Sequence, residues 1–167
     1  MTDLIAGWGV DLGVAQAVIT TLATMLAIGV AFLLKPGLPT LYWGFAFTLA
    51  MLATYGVVAG AITDLEPLRR ASLGALMGAP AFLWSGFRAA WGLRPHAWAG
   101  ALLAAGSALV LATVGDLASF TVAYRVVFSA AAVFAGLFVV DWARASSRRS
   151  DRLLLPLVIV SVAVCFA

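Results

Sequence analysis

Six long apolar stretches, with arginines clustered at alternate gaps between them, constrain this chain more than any other feature. Hydrophobic residues make up 64% of its 167 residues and charged residues 10%. A water-soluble domain of this size cannot hide so much apolar surface, because part of every helix or strand must face water. The solvent that fits is lipid. The stretches cover about residues 12–34, 39–63, 71–92, 97–114, 120–142 and 153–167. The first five have roughly the 17–25 residues that a helix needs to cross about 30 Å of hydrocarbon. Leu, Ala, Val and Gly fill them without strict polar–apolar alternation, which disfavours a β-barrel. The expected fold is an all-α, polytopic transmembrane helix bundle forming one domain over residues 1–167.

The sixth stretch is short, about 22 Å if helical, and is still apolar at Cys165, Phe166 and Ala167. It reads as a span cut within a longer protein, with a seventh span to follow. The alternative is a short helix ending at the far headgroups. No Lys or Arg precedes the first span, so the start lacks the positive region of a signal peptide. One cysteine excludes an internal disulfide. The formal charge of +3 comes from the loops and suits anionic headgroups rather than a nucleic acid.

Positive residues sort by loop. Lys35 lies in the first gap, Arg88, Arg94 and His96 flank the third, and Arg144, Arg148, Arg149 and Arg152 crowd the fifth. The opposite side has Arg69 and Arg70, offset by Asp64 and Glu66, together with Asp116. The positive-inside rule then places the N-terminus outside and the 144–152 connector in the cytoplasm. Trp43, Trp91, Trp98 and Trp142 fall at the expected inner boundary and Trp8 at the outer one. The setting implied is a membrane crossed several times.

No catalytic, metal or cofactor site is legible. His96 is the single histidine, which excludes a bis-histidine haem site within one chain. Lys35 is the single lysine and lies in a loop, and no span reads as carrying a central Asp or Glu. Polar residues do share helix faces: Gln16, Thr20 and Thr24 in span one, Thr48 and Tyr55 in span two, and Thr121, Arg125 and Ser129 in span five. They suit either interhelical hydrogen bonding or a small-molecule pocket in the outer half. The pocket reading takes Arg125, Tyr55, Tyr124 and Ser129 as its members. Arg125 equally suits a snorkelled anchor or a pair with Asp116. Gly56 with Gly60 and Gly74 with Gly78 are two small-residue faces, expected where spans two and three approach closely, with a dimer contact as the alternative. Pro80 predicts a kink in span three.

The end of span three carries Trp84, Gly86, Arg88, Gly92, Arg94 and Pro95 in close succession. This run resembles the cytoplasmic edge of the N-terminal membrane regions of bacterial GGDEF-type diguanylate cyclases, as do the segments from Arg125 to Ala130 and from Trp142 to Arg144. The resemblance covers roughly residues 71–152. It implies a sensory and dimerising membrane region that controls a cytoplasmic cyclase domain, making cyclic di-GMP, in response to a small-molecule or lipid-like signal. It implies a homodimer, because such a cyclase joins two GTP molecules held by two subunits. No GGDEF motif lies in this chain, so no residue here is assigned to that chemistry. A small transporter or channel subunit is the competing reading.

Overall fold

The computed structural model describes residues 14–19, 21–26, 28, 29, 33 and 37–145. The described residues are helical, with no strand among them. The sixth span, Trp8 and the 146–152 part of the connector lie outside them. Six helices are seen: α1 (Val14–Leu26), α2 (Leu38–Ile62), α3 (Glu66–Leu76), α4 (Ala79–Ala90), α5 (Ala97–Thr113) and α6 (Leu117–Ala145). Two of them, α2 and α6, are long and apolar enough to cross a membrane.

Local chemistry sets the boundaries. Pro39 and Pro67 stand in the first turns of α2 and α3, where a missing N–H costs no helical bond. The α2 helix ends at Thr63, after which Asp64 adopts a left-handed φ of 55°. Leu65 N–H then returns to the Gly60 carbonyl at 2.9 Å, a Schellman closure. The same device ends α4. Gly92 has φ 72°, and Leu93 N–H returns to the Arg88 carbonyl at 2.8 Å. A residue with a Cβ resists that backbone conformation, which explains the glycine at this place. Asp116 caps α6 by accepting the Ser119 N–H at 2.8 Å.

The expected span at 71–92 is not one regular helix. It starts earlier, at Glu66, and it breaks at Met77–Gly78, upstream of the kink expected at Pro80. Pro80 sits in the first turn of α4. It has no N–H for the Leu76 carbonyl and its ring crowds that carbonyl, so the chain tightens ahead of it. Met77 and Gly78 donate to Gly74 and Ala75, three residues back, both at 3.1 Å, and both keep right-handed helical dihedrals. The result is one tightened turn between two helices.

α3 and α4 form the middle of the bundle. α2 packs along both, α5 packs along both, and α6 packs chiefly on α4. Small residues permit this. A Cβ on Gly56 would strike the Ser72 side chain, and one on Gly60 would lie 2.7 Å from the Arg69 amide nitrogen. Gly56 and Gly60 therefore seat α3, as expected. Gly74 and Gly78 correct the expectation: they seat α5 instead. A Cβ on Gly74 would lie 2.6 Å from the Ala108 nitrogen, and one on Gly78 would lie 2.7 Å from the Gly100 carbonyl oxygen. Ser72 meets Gly56 of α2 while Gly74 meets α5, because α3 is sandwiched and opposite sides of one helix cannot meet the same partner.

Two apolar clusters hold α6. Met77, Val127 and Ala131 form one, with Leu103, Tyr124 and Phe128 against it. Trp84, Phe138 and Trp142 form the other, with Phe87, Trp91, Phe134 and Val139 around it. The outer faces remain apolar and uncovered. Within the most apolar window of α2 only 17% of residues are buried, and within that of α6 only 28%. Leu52, Val122, Val126 and Val133 are among the large side chains left exposed.

Candidate functional site

The polar centre of the described structure lies between α4 and α6, near the C-terminal ends of both. Trp84 and Arg88 are four residues apart and so share one face of α4. On α6, Phe134, Phe138, Asp141 and Trp142 repeat at helical spacing and turn toward that face. The Asp141 carboxylate accepts the Trp84 indole N–H at 2.8 Å and forms an ion pair with the Arg88 guanidinium. Both donors reach the same oxygen, Oδ2.

Arg88 has further contacts. Its Nε donates to the Arg94 carbonyl at 2.9 Å, and its guanidinium carbon lies 4.9 Å from the Trp84 ring centroid. The last contact is a cation–π arrangement. Trp84 stacks on His96, with centroids 5.6 Å apart, and Phe87 packs on Phe138 at 4.7 Å. Trp43 of α2 packs on Phe87 at 5.2 Å and lies against Gly86, where a Cβ would collide with its ring. Gly86 thus opens the space through which α2 joins the cluster.

Asp141 is 8% exposed, and the Arg88 side chain is 17% exposed. A carboxylate at that depth is tolerated because two donors meet it, one of them charged. Such a pair adds little net stability over an apolar pair of similar volume. Its effect is geometric. It admits one register of α4 against α6, since a shift of one residue removes Asp141 from both donors.

The run Trp84, Gly86, Arg88, Gly92, Arg94, Pro95 is accounted for nearly residue by residue. Trp84 and Arg88 hold Asp141, Gly86 seats Trp43, Gly92 closes the α4 terminus, and the Arg94 carbonyl orients Arg88. Pro95 lies in the non-helical link to α5. Sequence reasoning misses Asp141, because it looks for an acid at the centre of a span and Asp141 lies near the end of span five. A signal existed: the end that carries Arg88, Arg94, His96 and Arg144 contains one acid among residues 84–145 on that side. Of the four tryptophans expected at the inner boundary, Trp98 is well exposed. Trp142 is buried, and Trp43 and Trp91 are half-buried in the cluster.

The four residues of the pocket reading do not converge. Tyr55 is exposed on α2 and shares a hydrogen bond of 2.9 Å with Thr21. Tyr124 stacks between Phe120 and Phe128, with centroids about 6 Å away on either side. Arg125 and Ser129 are exposed on the outward face of α6, and the Ser129 hydroxyl donates to the Arg125 carbonyl at 2.8 Å. No ion pair joins Arg125 to Asp116 among the described residues. The opposite end of the bundle is tied by Arg70, which donates to the Val114 carbonyl and lies over Phe120 at 4.8 Å. The Ser119 hydroxyl and then its backbone N–H, by hydrogen bonding Asp116, lower that carboxyl from its ordinary 3.8.

Compared with protein-family models, with curated proteins and with solved structures, the chain matches none.

Proposed function

We propose that this chain is the membrane-embedded sensory and dimerising region of a bacterial signalling protein, crossing the inner membrane several times. On this reading it controls a cytoplasmic diguanylate cyclase domain that follows it. The bilayer setting is supported by the apolar outer faces of α2 and α6. A core helix of a soluble protein would be mostly buried, whereas only a minority of residues in these two are.

The single observation that carries the signalling role is the attachment of α6. It is one unbroken helix of 29 residues, long enough to run from one face of a bilayer to the other. It is locked to α4 at its C-terminal end by Asp141, and it leads directly into the basic connector at 144–152. A signal that favours one packing of α3, α4 and α5 therefore has a rigid lever to whatever follows. A shift in that balance requires a ligand with different affinity for the two packings.

The reading frame beyond Ala167 tests this. A further apolar stretch followed by a GGDEF sequence supports the proposal, and so does loss of signal-dependent cyclic di-GMP synthesis in Asp141→Leu assayed well below that variant's melting temperature. A stop codon directly after Ala167 would overturn it. The transporter or channel alternative is favoured by one observation, the break at Met77–Gly78 ahead of Pro80, since interrupted helices mark transport sites. Solute flux into liposomes containing the purified chain would support that alternative.

A further inference from the structure

We infer that Arg125, on the outward face of α6, holds the phosphate of a membrane phospholipid. The inference rests on the bilayer setting proposed above, and three observations lead to it.

The first is that the charge has no protein partner among the described residues. Arg125 is exposed, and its side chain has no hydrogen bond or ion pair among the described residues. The nearest polar side chains on its own face are turned inward to the helix. Thr121 donates to the Leu117 carbonyl at 2.9 Å, and Ser129 donates to the Arg125 carbonyl at 2.8 Å. Asp116, the acid closest in sequence, accepts the Ser119 N–H.

The second is depth. Exposed Arg144 marks the inner end of α6, as basic residues do at a headgroup boundary, with Trp142 beside it in the buried cluster. Helical side chains lean toward the N-terminus, so a long one covers the preceding turn. The Arg125 guanidinium is then level with Thr121. Thr121 lies about 32 Å from Trp142 along the helix at 1.5 Å per residue. The hydrocarbon is about 30 Å thick. The charge thus reaches the outer glycerol and phosphate layer while its Cα remains beside the acyl chains.

The third is the surface beside it. Val122, Val126 and Val133 are exposed at 62%, 65% and 58%. Val126 and Val133 lie inward of Arg125 and, with Val122 beside its guanidinium, form an apolar track matched to an acyl chain. A guanidinium above and valines below complement a phosphate joined to a lipid tail, and they do not complement a free anion. Arginine suits this role because its fork meets two phosphate oxygens at once.

The test uses the purified chain in detergent, titrated with phosphatidylglycerol and with a phosphate-free diacyl galactolipid, and read by native mass spectrometry. The parent should retain phosphatidylglycerol about tenfold better than the galactolipid, the size of one charge-assisted contact. Arg125→Gln should lose that preference, and Arg144→Gln should keep it. Arg125→Lys, which keeps the charge without the fork, should fall between and guards against a folding defect in the glutamine variant. Excess inorganic phosphate should not displace the lipid; displacement would assign the site to a free anion and overturn the inference. Co-flotation with liposomes separates the two levels. A parent that fails to float overturns the bilayer setting and this inference with it. A parent and an Arg125→Gln variant that both float and retain phosphatidylglycerol equally overturn this inference alone.

Discussion

Asp141→Leu should destabilise the bundle more than any other single change at the α4–α6 contact. Two costs add. The Trp84 indole N–H loses its acceptor while buried, which costs about 1–3 kcal/mol. The Arg88 guanidinium loses its counter-charge. Breaking a buried pair costs about 3–5 kcal/mol, but Arg88 is 17% exposed and retains the Arg94 carbonyl, so the lower part of that range applies. Together these give about 4 kcal/mol. Replacing both charges, with Arg88→Met and Asp141→Leu, removes the unpaired cation and leaves only the indole unsatisfied. The double variant should therefore lie within about 2 kcal/mol of the parent. Thermal unfolding in a mild detergent, followed by circular dichroism, reads both. At about 2–4 °C per kcal/mol, the single variant should melt roughly 8–16 °C below the parent and the double variant no more than about 8 °C below. Coincident melting of Asp141→Leu and the parent would refute the reasoning, and so would a double variant that loses the sum of its two singles.

Gly74→Ala places a Cβ against the Ser107 and Ala108 backbone, which cannot rotate away, so it should cost about 1–3 kcal/mol in the same assay. Gly106→Ala, with open space around the new methyl, should be neutral or stabilise by up to about 1 kcal/mol. Asp116→Ala should lower the melting temperature at neutral pH through loss of the α6 cap. Because the folded-state pKa of Asp116 is lowered, its contribution is complete above the ordinary value of 3.8. It disappears as pH falls through the folded value, so parent and variant should converge in acid.

Hydropathy located the regular elements well. The stretches read at 39–63 and 97–114 correspond to Leu38–Ile62 and Ala97–Thr113, because turn residues and apolar runs change sharply at both ends. Span three was legible as apolar but not as broken. The crowding imposed by Pro80 is taken up upstream, in the tightened turn at Met77–Gly78, and sequence shows only the proline. The glycine faces were legible as close contacts but not by partner. Which helix meets Gly74 depends on helix order, and no spacing within one span encodes that. Half of the candidate site was visible in the run from Trp84 to Pro95. Asp141 was hidden because an acid near a helix end resembles a solvated boundary residue, and its value comes from a partner 53 residues away. Arg125 kept its alternatives in sequence because a charge in an apolar span points inward or outward with equal ease. Burial decides between the two.

Membrane sidedness is the most direct test of the central claim, that α6 carries a signal from one face of the bilayer to a basic connector on the other. Single cysteines at Ser119 and Ala145, each in a Cys165→Ala background, should react differently with an impermeant thiol reagent. In intact cells with an opened outer membrane, position 119 should label and position 145 should label only after the inner membrane is permeabilised. Labelling of both positions from the same side would contradict the account.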